Sequence, residues 1–279
     1  VRITVDDGVE LAVLDTGARV HPGSPVLVLV HGFGGGMVDF ADHVDAFAAT
    51  HRVVTLDLRG HGASGAPTEA DRYSLDRCAQ DVLAVVDALQ VGSFRLLGHS
   101  MGGMVARRVV ARHPQRVEAL VLMDTAPGPV PGLDRELVAV AARVARDEGM
   151  ASLKVLLDYA SPLDTPAYRR LLAERPDYAQ IQQRRFEALS AVMWSVMALE
   201  LCDQPDESAV FEKLAMPTLV IVGELDEMFL EPSRRIAAST PKSRLVVLPN
   251  AGHSPQFETP AEWFDAVNGF LLGLDAVDR

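Results

Sequence analysis

Apolar residues are concentrated in six short runs, Val26–Val30, Arg52–Leu56, 93–97, 117–123, 218–222 and 244–248. These runs are too short for ordinary helices and rich in Val, Leu and Ile, so they read as strands buried on both faces. Between them, at 37–48, 75–89, 100–113 and 232–239, apolar residues recur three or four apart, the period of amphipathic helices. An early strand at Glu10–Asp15 pairs with 2–5 as a hairpin turning through Asp6-Asp7-Gly8. The pattern predicts a mostly parallel, eight-stranded sheet with helices on both faces.

The alternation stops after Asp124-Thr125-Ala126. A Pro/Gly-rich stretch follows, Pro127-Gly128-Pro129-Val130-Pro131-Gly132, and no further strand is predicted until 218. The expected organisation is a core of residues 1–126 and 209–279 with a helical cap inserted at 127–208. The last predicted cap helix, 178–201, places Phe186, Leu189, Met193 and Met197 on one face.

Composition narrows the classes of function. The formal charge is −12 and no basic run occurs, which argues against a nucleic-acid or anionic-membrane surface. The two cysteines, Cys78 and Cys202, have no metal or redox spacing, and a reduced cytoplasmic setting is expected. No apolar run is long enough to span a bilayer. The histidines are scattered without the spacing of a zinc site, and no metal is expected. The glycines at 32–36 match neither phosphate-loop pattern, and no cofactor is implied.

The chemistry centres on Gly98-His99-Ser100-Met101-Gly102, placed between a strand and a helix. In that setting G-x-S-x-G predicts a nucleophile elbow, a tight turn that projects the serine hydroxyl above the sheet. A serine nucleophile needs a base and a carboxylate that orients the base. Asp226 follows the strand at 218–222 and His253 follows the strand at 244–248, giving the chain order Ser, Asp, His. Strand ends share one edge of a parallel sheet, so these residues can converge. Glu224 and Glu227 flank Asp226, and Asp124 also ends a core strand and could orient His253 instead.

With these motifs the chain resembles the α/β-hydrolases over nearly all of 1–126 and 209–272. His31-Gly32-Phe33-Gly34-Gly35 is similar to the family's oxyanion loop. Asp57-Leu58-Arg59-Gly60-His61-Gly62-Ala63-Ser64 follows the next strand, and Gly252-His253 with Glu258-Thr259-Pro260 resembles the histidine loop. The resemblance implies that the N–H groups of Phe33 and Met101 would form an oxyanion hole. His31 is expected to brace that loop, and Asp57, Arg59 and His61 to form a structural turn. His99 could shape the pocket floor or simply pack.

For the substrate pocket the candidates are Gly34, His99, Phe186, Met193, Trp194 and Met197. Packing of the cap on the core is an equally good account of that apolar face. The expected activity is hydrolysis of small or medium, apolar carboxylic esters. A lactone is an internal ester, and the stretch from Met101 to Leu122 resembles the enol-lactonase branch. The C–C bond hydrolases of the fold usually carry tryptophan and asparagine where Ser254 and His99 stand, which lowers that option. Perhydrolases often show tryptophan at the position of Phe33. Ser100 excludes the dehalogenases and epoxide hydrolases, which need a carboxylate nucleophile. A ligand-binding receptor of the same fold is the alternative from a different class. The expected partner is a small-molecule ester or lactone, and the oligomeric state is not legible.

Overall fold

A computed structural model describes residues 1–17, 23–160 and 165–277. Its eight strands are β1 (Arg2–Thr4), β2 (Glu10–Asp15), β3 (Val26–Val30), β4 (Arg52–Leu56), β5 (Phe94–His99), β6 (Val117–Met123), β7 (Thr218–Gly223) and β8 (Ser243–Leu248). They form one sheet in the order β1-β2-β4-β3-β5-β6-β7-β8. β1 and β2 pair antiparallel, β2 joins β4 antiparallel, and every later pairing is parallel. The expected mostly parallel, eight-stranded sheet is therefore present.

The central strands explain their own composition. All residues of β5 and β7 are buried, as are four of the five in β3. Burial on both faces requires helices on both sides. Among the described residues, α1 (Ala41–Phe47), the turn at Met37–Phe40 before it and α11 (Pro260–Val277) cover one face through Phe40, Phe47 and Trp263. The other face is covered by α2 (Leu75–Ala88), α3 (Met101–Arg112) and α9 (Glu227–Ser239). Ser74 sets the start of α2 by accepting a hydrogen bond from the Arg77 N–H.

Among the described residues between β6 and β7 lie the α-helices α4 (Arg135–Glu148), α5 (Met150–Ala160), α6 (Pro166–Glu174), α7 (Tyr178–Glu187) and α8 (Ala191–Asp203), then a 3-10 turn at Ser208–Lys213. The single helix expected over 178–201 is in fact two. α7 ends at Glu187, and Ser190 starts α8 by accepting from the Met193 N–H while its own N–H donates to Gly60 O. A serine that caps a new helix start competes with continuation of the old one. A short helix, α10 (Pro255–Glu258), precedes α11.

The strand order reverses direction between β3 and β5, and crevices form at such switch points. The loops after β3, β5, β6, β7 and β8 all open on that edge. They carry Phe33, Ser100, Asp124, Asp226 and His253 in turn.

Candidate active site

Ser100 stands between β5 and α3 with φ 53° and ψ −117°. This conformation is rare for a residue with a side chain, and it is held from several sides. The Ser100 N–H donates to Met123 O at 2.8 Å, and Thr125 Oγ1 donates to Ser100 O at 2.7 Å. A Cβ at Gly98 would overlap the Gly102 carbonyl, and one at Gly102 would overlap Val30 O. Only glycine allows these backbones to approach so closely.

Ser100 Oγ–H points to His253 Nε2 at 3.0 Å. On the other side of the ring, His253 Nδ1–H donates to Asp226 Oδ2 at 2.7 Å. Phe229 of α9 stacks on the imidazole, with centroids 4.8 Å apart and planes at 26°. His99 Nε2–H donates to the His253 carbonyl at 2.7 Å. Glu258 accepts from the Gly252 and Ser254 N–H groups at 2.6 and 3.3 Å, which anchors the loop on both sides of the histidine. Burial pushes the Glu258 carboxyl above its usual range, against the pull of those hydrogen bonds. A serine joined to an imidazole that is oriented by a carboxylate is the arrangement of an activated nucleophile.

Asp124 sits beside this chain of hydrogen bonds and is fully buried. Its Oδ1 accepts from the Gly223 N–H at 2.9 Å. Atoms of Asp124, Asp226 and His253 that could ligate a metal lie within 4.8 Å of one another. His253 Nδ1 already donates to Asp226, so this cluster is knit by protons.

The loop after β3 is braced by two neutral histidines. His31 Nδ1–H donates to Gly32 O at 2.8 Å, and its Nε2 accepts from the Leu58 N–H at 2.9 Å. His61 Nε2 accepts from the Gly34 N–H at 3.3 Å. Burial holds both imidazoles below their ordinary range, His61 down to about 3. Asp57 accepts from the Met37 and Ala63 N–H groups, closing the turn of which His61 is part. Gly32 passes so close that a Cβ there would meet Ser100 Cβ at 3.1 Å, which sets the Phe33 backbone beside the serine. Met101 is the first residue of α3, so its N–H has no intrahelical acceptor.

Above the serine lies a cavity of about 430 Å³, a size suited to a small molecule. Phe33, His99, Ser100, Asp226 and His253 line it, and so do Asp39, Tyr178, Gln182, Arg185 and Glu258. Gly34, Phe186, Met193, Trp194 and Met197 are not among its lining residues. Met193 packs over Gly60, and Trp194 leans on the back of Phe33 with centroids 5.7 Å apart. The apolar stripe thus seats α8 on the core, while α7 presents a different face to the cavity. Tyr178, Gln182 and Arg185 recur at helical spacing on α7, a polar stripe that the apolar reading passed over. Arg185 reaches the loop after β3, donating from Nη1 to Asp39 at 2.9 Å and from Nε to Gly34 O at 3.3 Å.

A second buried charge cluster lies away from the cavity. Arg59 is fully buried and donates twice to Asp81 at 2.6 Å, and also to Asp7 at 2.9 Å and to Arg72 O at 2.8 Å. Arg59 and Asp57 thus belong to the turn expected of them rather than to the cavity. No described helix is long and apolar enough to cross a membrane.

Comparison with known proteins agrees with the architecture. A family model described as alpha/beta hydrolase fold matches residues 25–260. A Bacillus subtilis protein, provisionally named a 2-succinyl-6-hydroxy-2,4-cyclohexadiene-1-carboxylate synthase, is 31% identical over 281 residues, covering 98% of this chain and 99% of its own. The crystal structure of the enol-lactonase from Burkholderia xenovorans LB400 superposes with a TM-score of 0.84 at 29% identity, covering 98% of this chain and 100% of that one. A thermophilic esterase from Thermogutta terrifontis gives 0.84 at 28% identity, with 98% of both chains covered. The chain is a hydrolase that belongs to the α/β-hydrolase fold family, in a branch shared with esterases and an enol-lactonase.

Proposed function

We propose that this chain is a serine hydrolase that cleaves carboxylic esters through an acyl-enzyme, with residues 127–208 acting as its cap. Ser100 attacks the ester carbonyl while His253 accepts the hydroxyl proton and then returns it to the leaving alcohol. Asp226 keeps the imidazole in the tautomer with Nδ1–H and stabilises the imidazolium. The N–H groups of Phe33 and Met101 receive the oxyanion, and losing one such donor costs about 3 kcal/mol of barrier. Water then repeats the sequence to release the acid.

The observation that carries this reading is the 3.0 Å and 2.7 Å pair of hydrogen bonds linking Ser100, His253 and Asp226 at the floor of the cavity. Polar side chains on α7, beside the apolar lining from Phe33, Leu225 and Met228, support small or medium esters that join an apolar body to a polar group. Lactones are the second reading, supported by the likeness to the enol-lactonase along its whole length. Opening a ring ester uses the same residues, with the leaving alcohol remaining attached to the acyl group.

Initial rates on p-nitrophenyl esters from acetyl to decanoyl, with Ser100→Ala alongside, test the proposal. Saturable turnover that falls by about 10⁵-fold or more in the variant is expected. Near-normal turnover by a purified, folded Ser100→Ala protein would overturn it. Turnover of lactones without turnover of open-chain esters selects the second reading.

A further inference from the structure

The carboxyl of Asp124 is a buried group for which the proposed mechanism has no use. It follows β6, between the strand that leads to Ser100 and the strand that leads to Asp226. Its backbone takes the left-handed conformation, φ 46°, which a side chain must be held to adopt. The Asp124 N–H donates to Ile221 O, and Oδ1 accepts from the Gly223 N–H, so the residue is fixed at both ends to β7. Oδ2 is buried too and has no donor from which to accept. The charged groups facing it are Asp226 from the loop after β7, Glu258 of α10 and His253 from the loop after β8. Among the described residues no arginine or lysine forms an ion pair with it.

An ionised Asp124 would place a second negative charge beside Asp226, out of reach of water. Two adjacent buried carboxyls resolve this by sharing one proton. Asp226 has the imidazole N–H at 2.7 Å to stabilise its charge, and Asp124 has only a backbone amide. The proton therefore resides on Asp124. Placed on Oδ2, it converts an acceptor without a donor into a donor to Asp226, which satisfies both groups. Burial first, and then the Asp226 charge, push the Asp124 carboxyl well above the usual carboxylate range, in agreement with the geometry.

We infer that Asp124 is a neutral positioning residue whose Oδ2–H donates to the Asp226 carboxylate, orienting that carboxylate and moderating its pull on the His253 imidazole. The inference rests on the assignment of Asp226 and His253 proposed above. It implies that the acid of this site is a carboxylate backed by a carboxylic acid. Removing the donor leaves Asp226 with more charge for the imidazolium, so the acid limb of the kcat/KM profile moves to higher pH. Its freer side chain also lowers kcat.

Asp124→Ala and Asp124→Asn separate this role from packing. Asparagine copies the neutral acid, with Nδ2–H donating to Asp226 and Oδ1 accepting from Gly223. Asp124→Ala is expected to lose about tenfold or more in kcat and to raise the acid limb, and Asp124→Asn to restore most of the rate and the original limb. An asparagine variant as impaired as the alanine one, or an unmoved acid limb in Asp124→Ala, would overturn the inference. Infrared difference spectra between wild type and Asp124→Asn provide a test that needs neither substrate nor a folded alanine variant. A neutral carboxylic-acid carbonyl band that persists well above the usual carboxylate range and vanishes in Asp124→Asn supports the pair. Its absence from the wild type refutes it. This reading stands even if no ester is turned over, so the failure of the pair and the failure of the proposed activity are distinguishable.

Discussion

The acidic clusters around Arg59 and around Asp226 are balanced in opposite ways. At Arg59, two aspartates face a permanent cation whose N–H groups are spent on Asp81, Asp7 and a backbone carbonyl. At Asp226, two aspartates face a histidine that carries charge only after accepting a proton. A guanidinium is always charged and offers five fixed donors, which suits a permanent tie. An imidazole changes charge near neutrality, which suits a reaction cycle. Burial works on the acids of both clusters. Burial pushes Asp81 up against the pull of Arg59, while at the partly exposed Asp7 burial is outweighed by Arg59 together with the Val9 N–H and Arg72, and it settles at about 2. Asp124, fully buried with the Asp226 charge beside it and no such cation, is pushed well above the usual range. The counter-charge, permanent at Arg59 and switchable at His253, separates a structural acidic cluster from one available for chemistry.

Asp226→Asn tests the contrast between the two clusters most directly. If the Asp226 cluster serves turnover, kcat should fall by about 10⁴-fold, with circular dichroism and urea midpoint little changed. A large loss of stability with modest loss of rate would make it structural like the other. Arg59→Met should do the reverse. It leaves the buried Asp81 without its cation and Asp7 with Arg72 alone, and should cost about 3–5 kcal/mol in urea unfolding, while residual folded protein keeps its kcat. A change below about 1 kcal/mol would show that the acids neutralise by binding protons, as proposed for Asp124.

The smallest effect concerns pH. His61 has its folded pKa at about 3, below the ordinary value near 6.5, so the unfolded chain binds the proton first. The stability this histidine contributes is present above about pH 6.5 and is lost as pH falls toward about 3, at up to about 1.4 kcal/mol per unit. Asp7 titrates lower, its contribution being lost between about pH 4 and about 2. Urea midpoints between about pH 7 and pH 5 should fall less steeply in His61→Gln than in wild type. Equal slopes would mean that His61 gains its proton in the folded state as well.

Much of the fold was legible because central strands leave unbroken apolar runs and the elbow has a rigid local grammar. Ser100, Asp226 and His253 could be singled out because each follows a different strand, and strand ends are gathered on one edge. The helix break at Ser190 was harder, since serine is tolerated inside helices and reveals its cap only through the Met193 N–H. The pocket wall was harder still. Arg185 acquires its place from Asp39, 146 residues away, and nothing local announces that pairing. The apolar residues around 186–197 gave a strong periodic signal, and that signal reported packing of α8, whereas the polar face at Tyr178, Gln182 and Arg185 marks the cavity. The i, i+4, i+7 spacing of Tyr178, Gln182 and Arg185 is visible in the sequence, whereas nothing local marks Phe229 as the residue that stacks on His253.

Gly98, Gly102 and Gly223 have one further consequence. A side chain at Gly223 would collide with the Gly252 carbonyl, as one at Gly98 or Gly102 would with its neighbouring carbonyl. The loops bearing serine, acid and histidine are thus spaced by main chain resting on main chain. Main-chain atoms are the same in every sequence, so substitutions in the surrounding core can drift in size and shape without resetting that gauge. The cavity wall on α7, built wholly from side chains, has no such standard. Descendants of this chain are therefore free to change what they accept far faster than how they cut it.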